Sequence, residues 1–400
     1  AMRLSSSQNS GSRLMLVGIK GYEIAAAEIP AANIVFLIDS SGSMESPDKI
    51  GLLKQSFMAM VPKLRAQDRI SIVVYAGSAG LVLPPTSGAD HETILSAFDR
   101  LSAGGSTNGA AGIELAYQQA KRAYIEGGVN RVILATDGDF NVGTVDMEAL
   151  KTLVAEQRRS GVSLTTLGFG QGNYNDELSE QLADIGNGNH AYIDTLNEGH
   201  KVLVEEMSST LFTIAKDVKI QIEFNPAVVS EYRLIGYENR MLAREDFNND
   251  AIDAGEIGAG HDVTAIYEVV LAGSDAESVD PLRYGANATV KHSGDELAFV
   301  KLRFKQPDAE TSTLIERPIK RSEIATEASP RLQFAAAVAA FADRLRGGEH
   351  LGQFDLAQIA RLANGARNDD RFGYQSEFLQ LVNRAQTLSG EAAPVAVVAE

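Results

Sequence analysis

The stretch from Ile34 to Met44 limits the possible folds more than any other part of the chain. Five apolar residues run from Ile34 to Ile38 without a polar break, four of them β-branched or aromatic, and the run stops at Asp39. A run this short and this apolar indicates a strand that is buried on both faces, as in a parallel sheet covered by helices. The sequence therefore predicts an α/β fold built around this strand.

An acid and two hydroxyls follow the strand at alternate positions: Asp39, Ser41 and Ser43, with Gly42 between the two hydroxyls. Open α/β sheets bind ligands just beyond the carboxyl ends of their strands. Three oxygen-bearing side chains in such a loop can point to one place, so the motif indicates a site for a divalent cation. In the simpler alternative, Ser41 and Ser43 cap a helix and Asp39 accepts hydrogen bonds from the loop backbone.

Strand and helix patterns alternate through residues 33–215, which is typical of right-handed βαβ units. We assign these residues to one doubly wound, Rossmann-like domain with three layers and a mostly parallel sheet. After the first strand, strands are predicted at residues 69–75, 131–136, 162–169 and 190–193. Helices are predicted at residues 48–64, 91–101, 112–125, 146–160, 176–185 and 198–214.

The spacing of apolar residues changes to a period of two after Asp217. This pattern predicts an additional antiparallel β domain over residues 216–328, of the sandwich type. A further strand at residues 13–24 is expected to complete one edge of it, so we assign residues 13–32 to the same, discontinuous domain. Strands are predicted at residues 218–224, 232–235, 264–271, 288–291, 297–304 and 313–318.

Helical patterns return in a C-terminal region at residues 329–390, with helices predicted at residues 332–346, 354–363 and 372–388. Three helices are too few to guarantee a core of their own, so we expect them to pack on the other domains. Residues 391–400 are predicted to form a frayed tail.

The composition excludes several classes of function. The net charge of −17 makes duplex nucleic acid a poor partner, since that partner needs clustered Lys and Arg. The chain has no cysteine, which removes disulfides and thiolate zinc sites. No run approaches the roughly 20 apolar residues of a membrane-spanning helix.

Two further loops strengthen the metal interpretation. Thr107 lies in a glycine-rich loop before a predicted helix, and Asp137 ends a predicted buried strand. Both loops are expected at the same edge of the sheet as Asp39, and Asp139 and Asn141 are expected to orient the ligands. Hydroxyl and carboxylate oxygens are ligands that suit Mg²⁺, and Mn²⁺ or Ca²⁺ could replace it. The absence of thiolate and imidazole ligands from this set argues against zinc and copper.

The order of these motifs resembles the von Willebrand factor type A (VWA) domain with its metal-ion-dependent adhesion site. The resemblance implies five metal-site positions: Asp39, Ser41, Ser43, Thr107 and Asp137. Residues 75–77, 133–141 and 234–240 also resemble the bacterial YfbK-like proteins. In that group a VWA domain is joined to a β domain and a C-terminal helical segment, so the resemblance covers nearly the whole chain.

Other motifs carry weaker signals. Residues 168–173 do not have the spacing of a phosphate-binding loop. Residues 246–250 begin like an EF-hand loop, but the glycine and the final glutamate of that loop are missing. Calcium would therefore bind there only opportunistically. The six histidines show no paired spacing. Lys and Arg are absent from the three loops, and the nearest cation, Lys49, begins the following helix. These features argue against an enzyme.

The expected function is therefore a non-enzymatic, metal-dependent protein-binding or adhesion module that grips an Asp or Glu of a partner protein. The alternatives are an intracellular assembly factor working with an AAA+ ATPase and a metal-dependent phosphatase. Ala1 and Met2 resemble a cloning remnant and residues 3–12 a linker, so we expect a longer protein located in the bacterial cell envelope, periplasmic or surface-anchored.

Overall fold

A six-stranded mixed sheet forms the centre of residues 32–206, with the strand order β4-β3-β2-β5-β6-β7. The computed structural model describes residues 12–24, 28–105, 109–138, 147–170, 174–206, 212–236, 242–252, 254–278, 295–307, 309–368, 370 and 373–390. The strands of this sheet are β2 (Ala32–Asp39), β3 (Arg69–Tyr75), β4 (Ala79–Ser87), β5 (Val129–Thr136), β6 (Ser163–Phe169) and β7 (His190–Ile193). The helices are α1 (Leu52–Met60), α2 (His91–Asp99), α3 (Gly109–Arg122), α4 (Met147–Arg159), α5 (Asp176–Ile185) and α6 (Leu196–His200).

Strand β2 lies in the middle of this sheet and is buried at every position. Its side chains alternate between two apolar layers, one containing Phe36 with α1 and α2, the other containing Leu37 with α3 and α4. The strand runs parallel to both of its neighbours, β3 and β5. This confirms the predicted three-layer α/β fold with a mostly parallel sheet.

Strand β4 was not predicted, and it runs antiparallel to β3 at the edge of the sheet. Pro84 and Pro85 break its strand signal in the sequence. An edge strand tolerates proline because one of its sides needs no backbone donor, and the register of the pair shifts between Ile70 and Val73. Sequence patterns that penalise proline therefore miss this strand.

Two of the predicted helices are wrong in extent. The helix predicted at residues 48–64 consists of a π-helical turn (Pro47–Gly51), then α1, then a 3-10 turn (Val61–Lys63) that contains Pro62. The helix predicted at residues 198–214 ends earlier, because Thr213 and Ile214 already belong to strand β8 (Thr213–Phe224). Their partner is β10 (Gly255–Gly258), a short strand that the sequence did not reveal.

Two smaller antiparallel sheets follow, with the orders β1-β11-β9 and β10-β8-β12-β13. The strand predicted at residues 13–24 is observed as β1 (Ser12–Lys20) and pairs with β11 along nine positions. Phe224 and Leu297 from one sheet meet Met15 and Val269 from the other in a shared apolar core, as in a sandwich. The other strands are β9 (Val229–Ile235), β11 (Asp262–Leu271), β12 (Glu296–Lys305) and β13 (Thr313–Lys320); the strand predicted at 288–291 lies outside the described residues.

Three C-terminal helices form a cluster of their own and also contact both other parts of the chain. They are α7 (Pro330–Leu345), α8 (Leu356–Gly365) and α9 (Tyr374–Ser389). Leu14 of β1 and Ile235 of β9 pack against their apolar core. The Lys201 ammonium lies 5.3 Å from the centroid of the Tyr374 ring. Across the described ranges, no helix has the length and apolar character needed to cross a membrane.

Candidate metal site

Asp39 occupies the carboxyl end of β2 and its side chain is 0% exposed. Its Oδ1 accepts a hydrogen bond from the Ser41 backbone N–H at 2.9 Å. Its Oδ2 accepts hydrogen bonds from the Tyr75 hydroxyl at 3.2 Å and the Thr136 hydroxyl at 3.1 Å. The carboxylate is thus held in one orientation by donors from the ends of the two strands that flank β2 and from the loop after β2.

The loop after β2 brings the two serines of the motif together. The Ser41 and Ser43 hydroxyl oxygens lie 2.9 Å apart. The Gly42 N–H donates to the Gly105 carbonyl at 3.1 Å, and the Gly104 N–H donates to the Ser40 carbonyl at 2.7 Å. These backbone bonds fix the first loop against the start of the second, whose Thr107 lies outside the described residues.

Asp137 follows directly after β5 and is buried next to the first loop. Gly138 turns the chain there with φ = 87°, and a Cβ at this position would overlap Tyr174. The Gly138 N–H donates to the Thr136 hydroxyl at 3.1 Å. Asp139 and Asn141, expected to orient the ligands, lie outside the described residues.

Lys49 reaches into this group of oxygens, although the sequence places it outside all three loops. Its ammonium lies 2.9 Å from Oδ2 of Asp137 and donates to the Ser43 carbonyl at 3.0 Å. The π-helical turn after the loop brings the side chain back over the site. A Cβ at Gly170 would overlap three stem carbons of Lys49, so that glycine leaves the space that the stem fills. The expectation that no cation adjoins the site is therefore corrected.

Burial dominates the electrostatics of the site. Desolvation raises the pKa of Asp39 above its ordinary 3.8, and the charge of Asp137 raises it further, while hydrogen bonds from Ser41 and Thr136 act in the opposite direction. Burial and the neighbouring Asp39 also raise the pKa of Tyr75 well above 10. Tyr75 is therefore a neutral hydroxyl at physiological pH and donates its proton to Asp39.

The described part of the site contains two carboxylates, the two hydroxyls of the serine motif, the hydroxyls of Tyr75 and Thr136, and one ammonium. Asp39 and Asp137 carry two negative charges and Lys49 carries one positive charge, which leaves a net charge of −1 in a buried environment. A buried carboxylate is costly unless a cation or strong donors compensate it. The donor set is all oxygen, which is the set that Mg²⁺, Mn²⁺ and Ca²⁺ prefer. The residues therefore fit a hard divalent cation.

Sequence reasoning missed the roles of Tyr75, Thr136 and Lys49. Tyr75 stands directly beside Asp39 in the parallel register of β2 and β3, so a correct pairing of these strands would have found it. Thr136 precedes Asp137 in the motif itself. Lys49 offered no signal, because its position depends on a π-helical turn that no pattern predicts.

Positively charged side chains of this chain lie around the EF-hand-like segment at residues 246–250. The Lys219 ammonium donates to the carbonyls of Asp246 and Asn249 and is nearly buried. Lys305 lies 2.7 Å from the Asp217 carboxylate and Arg303 lies 3.9 Å from the Asp250 carboxylate. This arrangement favours the polar-turn interpretation over calcium binding.

Comparisons with known proteins match the chain in two parts. The profile of the von Willebrand factor type A domain matches residues 33–206, and the profile described as "Uncharacterized protein YfbK, C-terminal" matches residues 209–388. The Escherichia coli (strain K12) protein YfbK is 48% identical over 379 residues, which are 94% of this chain and 65% of that protein. The chain thus spans 65% of the length of this relative.

More distant similarities cover less or are weaker. The human inter-alpha-trypsin inhibitor heavy chain H4 is 31% identical over 146 residues, which are 34% of this chain and 16% of that protein. The solved structure of von Willebrand factor type A from Catenulispora acidiphila covers 95% of this chain and 90% of its own, with a TM-score of 0.48 and 16% identity.

Proposed function

Because the chain belongs to the von Willebrand factor type A proteins that carry a YfbK C-terminal region, we propose that it is a non-enzymatic binding protein that grips a partner through a divalent cation. VWA domains often mediate protein interactions. We assign the cation, Mg²⁺ in the first instance, to Asp39, Ser41, Ser43, Thr107 and Asp137. The bound cation supplies the positive charge that attracts an acidic side chain of the partner.

The observation that carries this proposal is the environment of the Asp39 carboxylate. It is fully buried, and its hydrogen-bond donors within the described residues are neutral backbone N–H and hydroxyl groups. The Lys49 ammonium pairs with Asp137 and not with Asp39. One of the two carboxylates therefore lacks a positive counterpart among the described residues, and a divalent cation would supply it.

The charge of the ligand set supports an acidic partner. Two carboxylates balance one divalent cation, and the hydroxyls of Ser41, Ser43 and Thr107 add no charge. Mg²⁺ in proteins commonly keeps some positions for water or for groups of another molecule. An Asp or Glu of a partner protein suits such a position by charge and by its oxygen ligands.

Lys49 gives the phosphatase alternative the cation that the sequence did not show, but the described part of the site lacks the other groups that such chemistry needs. The described residues around Asp39 offer no histidine that could act as a general base; His190 is bonded to Thr166 and Asp176. A location in the cell envelope stays a prediction, and fractionation of cells expressing the full-length protein would test it.

Titration calorimetry with MgCl₂ tests the metal assignment. The unmodified chain and Asp99→Asn, which changes an exposed carboxylate on α2, should bind Mg²⁺ equally. Asp39→Asn should bind at least about tenfold more weakly, since a neutral amide replaces a charged ligand. Equal binding by Asp39→Asn, or no binding by the unmodified chain, would refute the assignment.

Affinity capture with the same variants tests the partner assignment. Proteins held by the unmodified chain and by Asp99→Asn in Mg²⁺ should be released by EDTA and should not be held by Asp39→Asn. Once a partner is identified, exchanging its contacting Asp or Glu for the amide should abolish capture. Capture that persists in EDTA would place the interface elsewhere on the molecule.

A further inference from the structure

The Lys49 ammonium contacts the candidate site at two points, a carboxylate and a loop carbonyl. It pairs with Oδ2 of Asp137 at 2.9 Å and donates to the carbonyl of Ser43 at 3.0 Å. Both residues are among the assigned metal-site positions. The positive charge of Lys49 therefore lies against one carboxylate that a divalent cation would use and beside the loop that carries the serine ligands.

This position is built into the fold. The Lys49 side chain is only 13% exposed, and its stem fills the space above Gly170 that any Cβ would occupy. Gly170 lies in the turn after β6, so a second part of the sheet helps to place the ammonium. An exposed lysine would lose side-chain conformational entropy on forming such a contact. The stem of Lys49 is already restricted by packing, so less entropy is lost.

The chain uses ammonium groups in the same manner elsewhere. Lys219 supplies the positive charge at the turn that contains Asp246 and Asn249. At the same turn Arg303 lies beside the Asp250 carboxylate and Lys305 pairs with the Asp217 carboxylate. Among the described residues of the candidate site, Lys49 pairs with Asp137, whereas the groups that donate to Asp39 are neutral.

We propose that Lys49 is the intrinsic counter-ion of the candidate metal site, an inference that rests on the proposed function. Its ammonium neutralises Asp137 in the metal-free protein and competes with the divalent cation for that carboxylate. Removing the charge of Lys49 therefore makes cation binding tighter and makes the metal-free protein less stable. Lys49 thus sets how much Mg²⁺ is needed to load the site.

The charge balance explains why such a residue is useful. Without Lys49, two carboxylates and one divalent cation sum to zero, whereas with Lys49 the loaded site carries a charge of +1. The competing ammonium weakens the hold on the cation, and it also leaves the loaded site positive toward an acidic partner. Both effects follow from the single positive charge of Lys49, which lies 2.9 Å from the Asp137 carboxylate.

Titration with MgCl₂ of the full chain and of Lys49→Met tests the inference. Methionine keeps a long unbranched stem over Gly170 but carries no charge. Lys49→Met should bind Mg²⁺ at least about tenfold more tightly, because a unit charge a few ångströms from a divalent ion is repulsive even at high dielectric constant. Lys49→Arg keeps the charge and should bind Mg²⁺ no more tightly than the unmodified chain.

Thermal unfolding in EDTA gives a second readout that requires no bound metal. Lys49→Met should unfold at a lower temperature than the unmodified chain, since Asp137 loses its ion pair. Lys151→Met removes one charge from the surface of α4 and controls for net charge; its Mg²⁺ affinity should match that of the unmodified chain. Lys49→Gln serves as a second neutral variant if the methionine variant does not fold.

The two proposals fail in different ways. If the unmodified chain binds Mg²⁺ and the neutral Lys49 variants bind it equally or more weakly, the counter-ion role is wrong and the metal site stands. Weaker binding would show that Lys49 orients Asp137 for the ion instead of competing with it. If neither the unmodified chain nor the variants bind Mg²⁺ or Mn²⁺, the metal site itself is wrong, and the counter-ion role with it.

Discussion

At the scale of single residues, the burial of Asp39 makes metal binding sensitive to pH. Its pKa is raised above 3.8 mainly by desolvation, so the folded protein binds this proton more tightly than the unfolded chain does. In the metal-free protein, the stabilising contribution of Asp39 is therefore complete below pH 3.8 and is lost as the pH rises through the raised folded-state pKa. A divalent cation binds the ionised carboxylate of Asp39, so the affinity for the cation rises as the pH rises.

We predict that Mg²⁺ affinity falls as the pH is lowered, beginning above pH 3.8, because Asp39 takes up a proton in that window. Calorimetry over a pH series between about 7 and 4 measures the fall. Lys49→Met should also lose affinity as the pH is lowered, but from a tighter starting point and beginning at a higher pH, because the ammonium no longer favours the ionised carboxylates. An affinity that stays constant over the whole pH series would contradict the raised pKa.

Some residues of the candidate site were predictable from the sequence and others were not. Asp39, Ser41, Ser43 and Asp137 follow buried strands, and the carboxyl ends of parallel strands meet at one edge of a sheet. The structure brings these four residues together, whereas Thr107 and the identity of the ion stay predictions. Lys49 escaped because its contact depends on the path of a turn, which local hydrophobicity does not encode.

At the scale of secondary structure elements, helix α3 packs closely against the end of β3, next to the candidate metal site. A Cβ added to Gly112 of α3 would lie 2.7 Å from the Cβ of Tyr75 and 3.0 Å from its Cγ. Tyr75 in turn donates its hydroxyl proton to Asp39. The close packing of this helix on this strand therefore helps to position the Tyr75 hydroxyl, one of the donors that orient the Asp39 carboxylate.

Gly112→Ala should push α3 away from Tyr75, destabilise the protein by about 1–3 kcal/mol and weaken Mg²⁺ binding. Chemical denaturation and calorimetry measure the two effects. Gly365→Ala is the matched control, because Gly365 is an exposed helical glycine of α8 with no atom near the added methyl. That change should be neutral or stabilise by up to about 1 kcal/mol. Equal effects of the two substitutions would show that the packing against Tyr75 is not tight.

Elements with a strong internal signal were predicted well, and those defined by their neighbours were not. The buried strands β2, β3, β5 and β6 have apolar runs that specify them locally. Strand β4 contains prolines and β10 begins and ends with glycine, so neither has a strand pattern of its own and each is defined by its pairing with an adjacent strand. Sequence periodicity does not contain that information.

At the scale of the whole molecule, β1 joins the beginning of the chain to its second half. It pairs with β11 from Ser12 to Lys20, and Leu14 also contacts the core of the C-terminal helices. The α/β part therefore lies in the sequence between two segments that pack together. The incomplete edge of the β domain suggested this arrangement, but the specific pairing of β1 with β11 appeared only in three dimensions.

Deleting residues 12–24 should loosen the β1-β11-β9 sheet while leaving the central sheet intact, because β11 loses one of its two hydrogen-bonded neighbours. Amide hydrogen exchange should speed up in β9 and β11, with β2 and β5 unchanged as internal references. A uniform increase across all four strands would instead show that the chain unfolds as one cooperative unit.

The central position of β2 has a mechanical consequence. Asp39 stands at one end of this strand, and the covalent path to β1 leaves from the other end, at Ala32. A partner that pulls on Asp39 would therefore apply tension along β2, parallel to its axis. Seven residues of the strand pair with β3 and seven with β5, so the load is shared in shear by two complete ladders. Such a geometry resists rupture better than one in which hydrogen bonds are peeled apart one at a time.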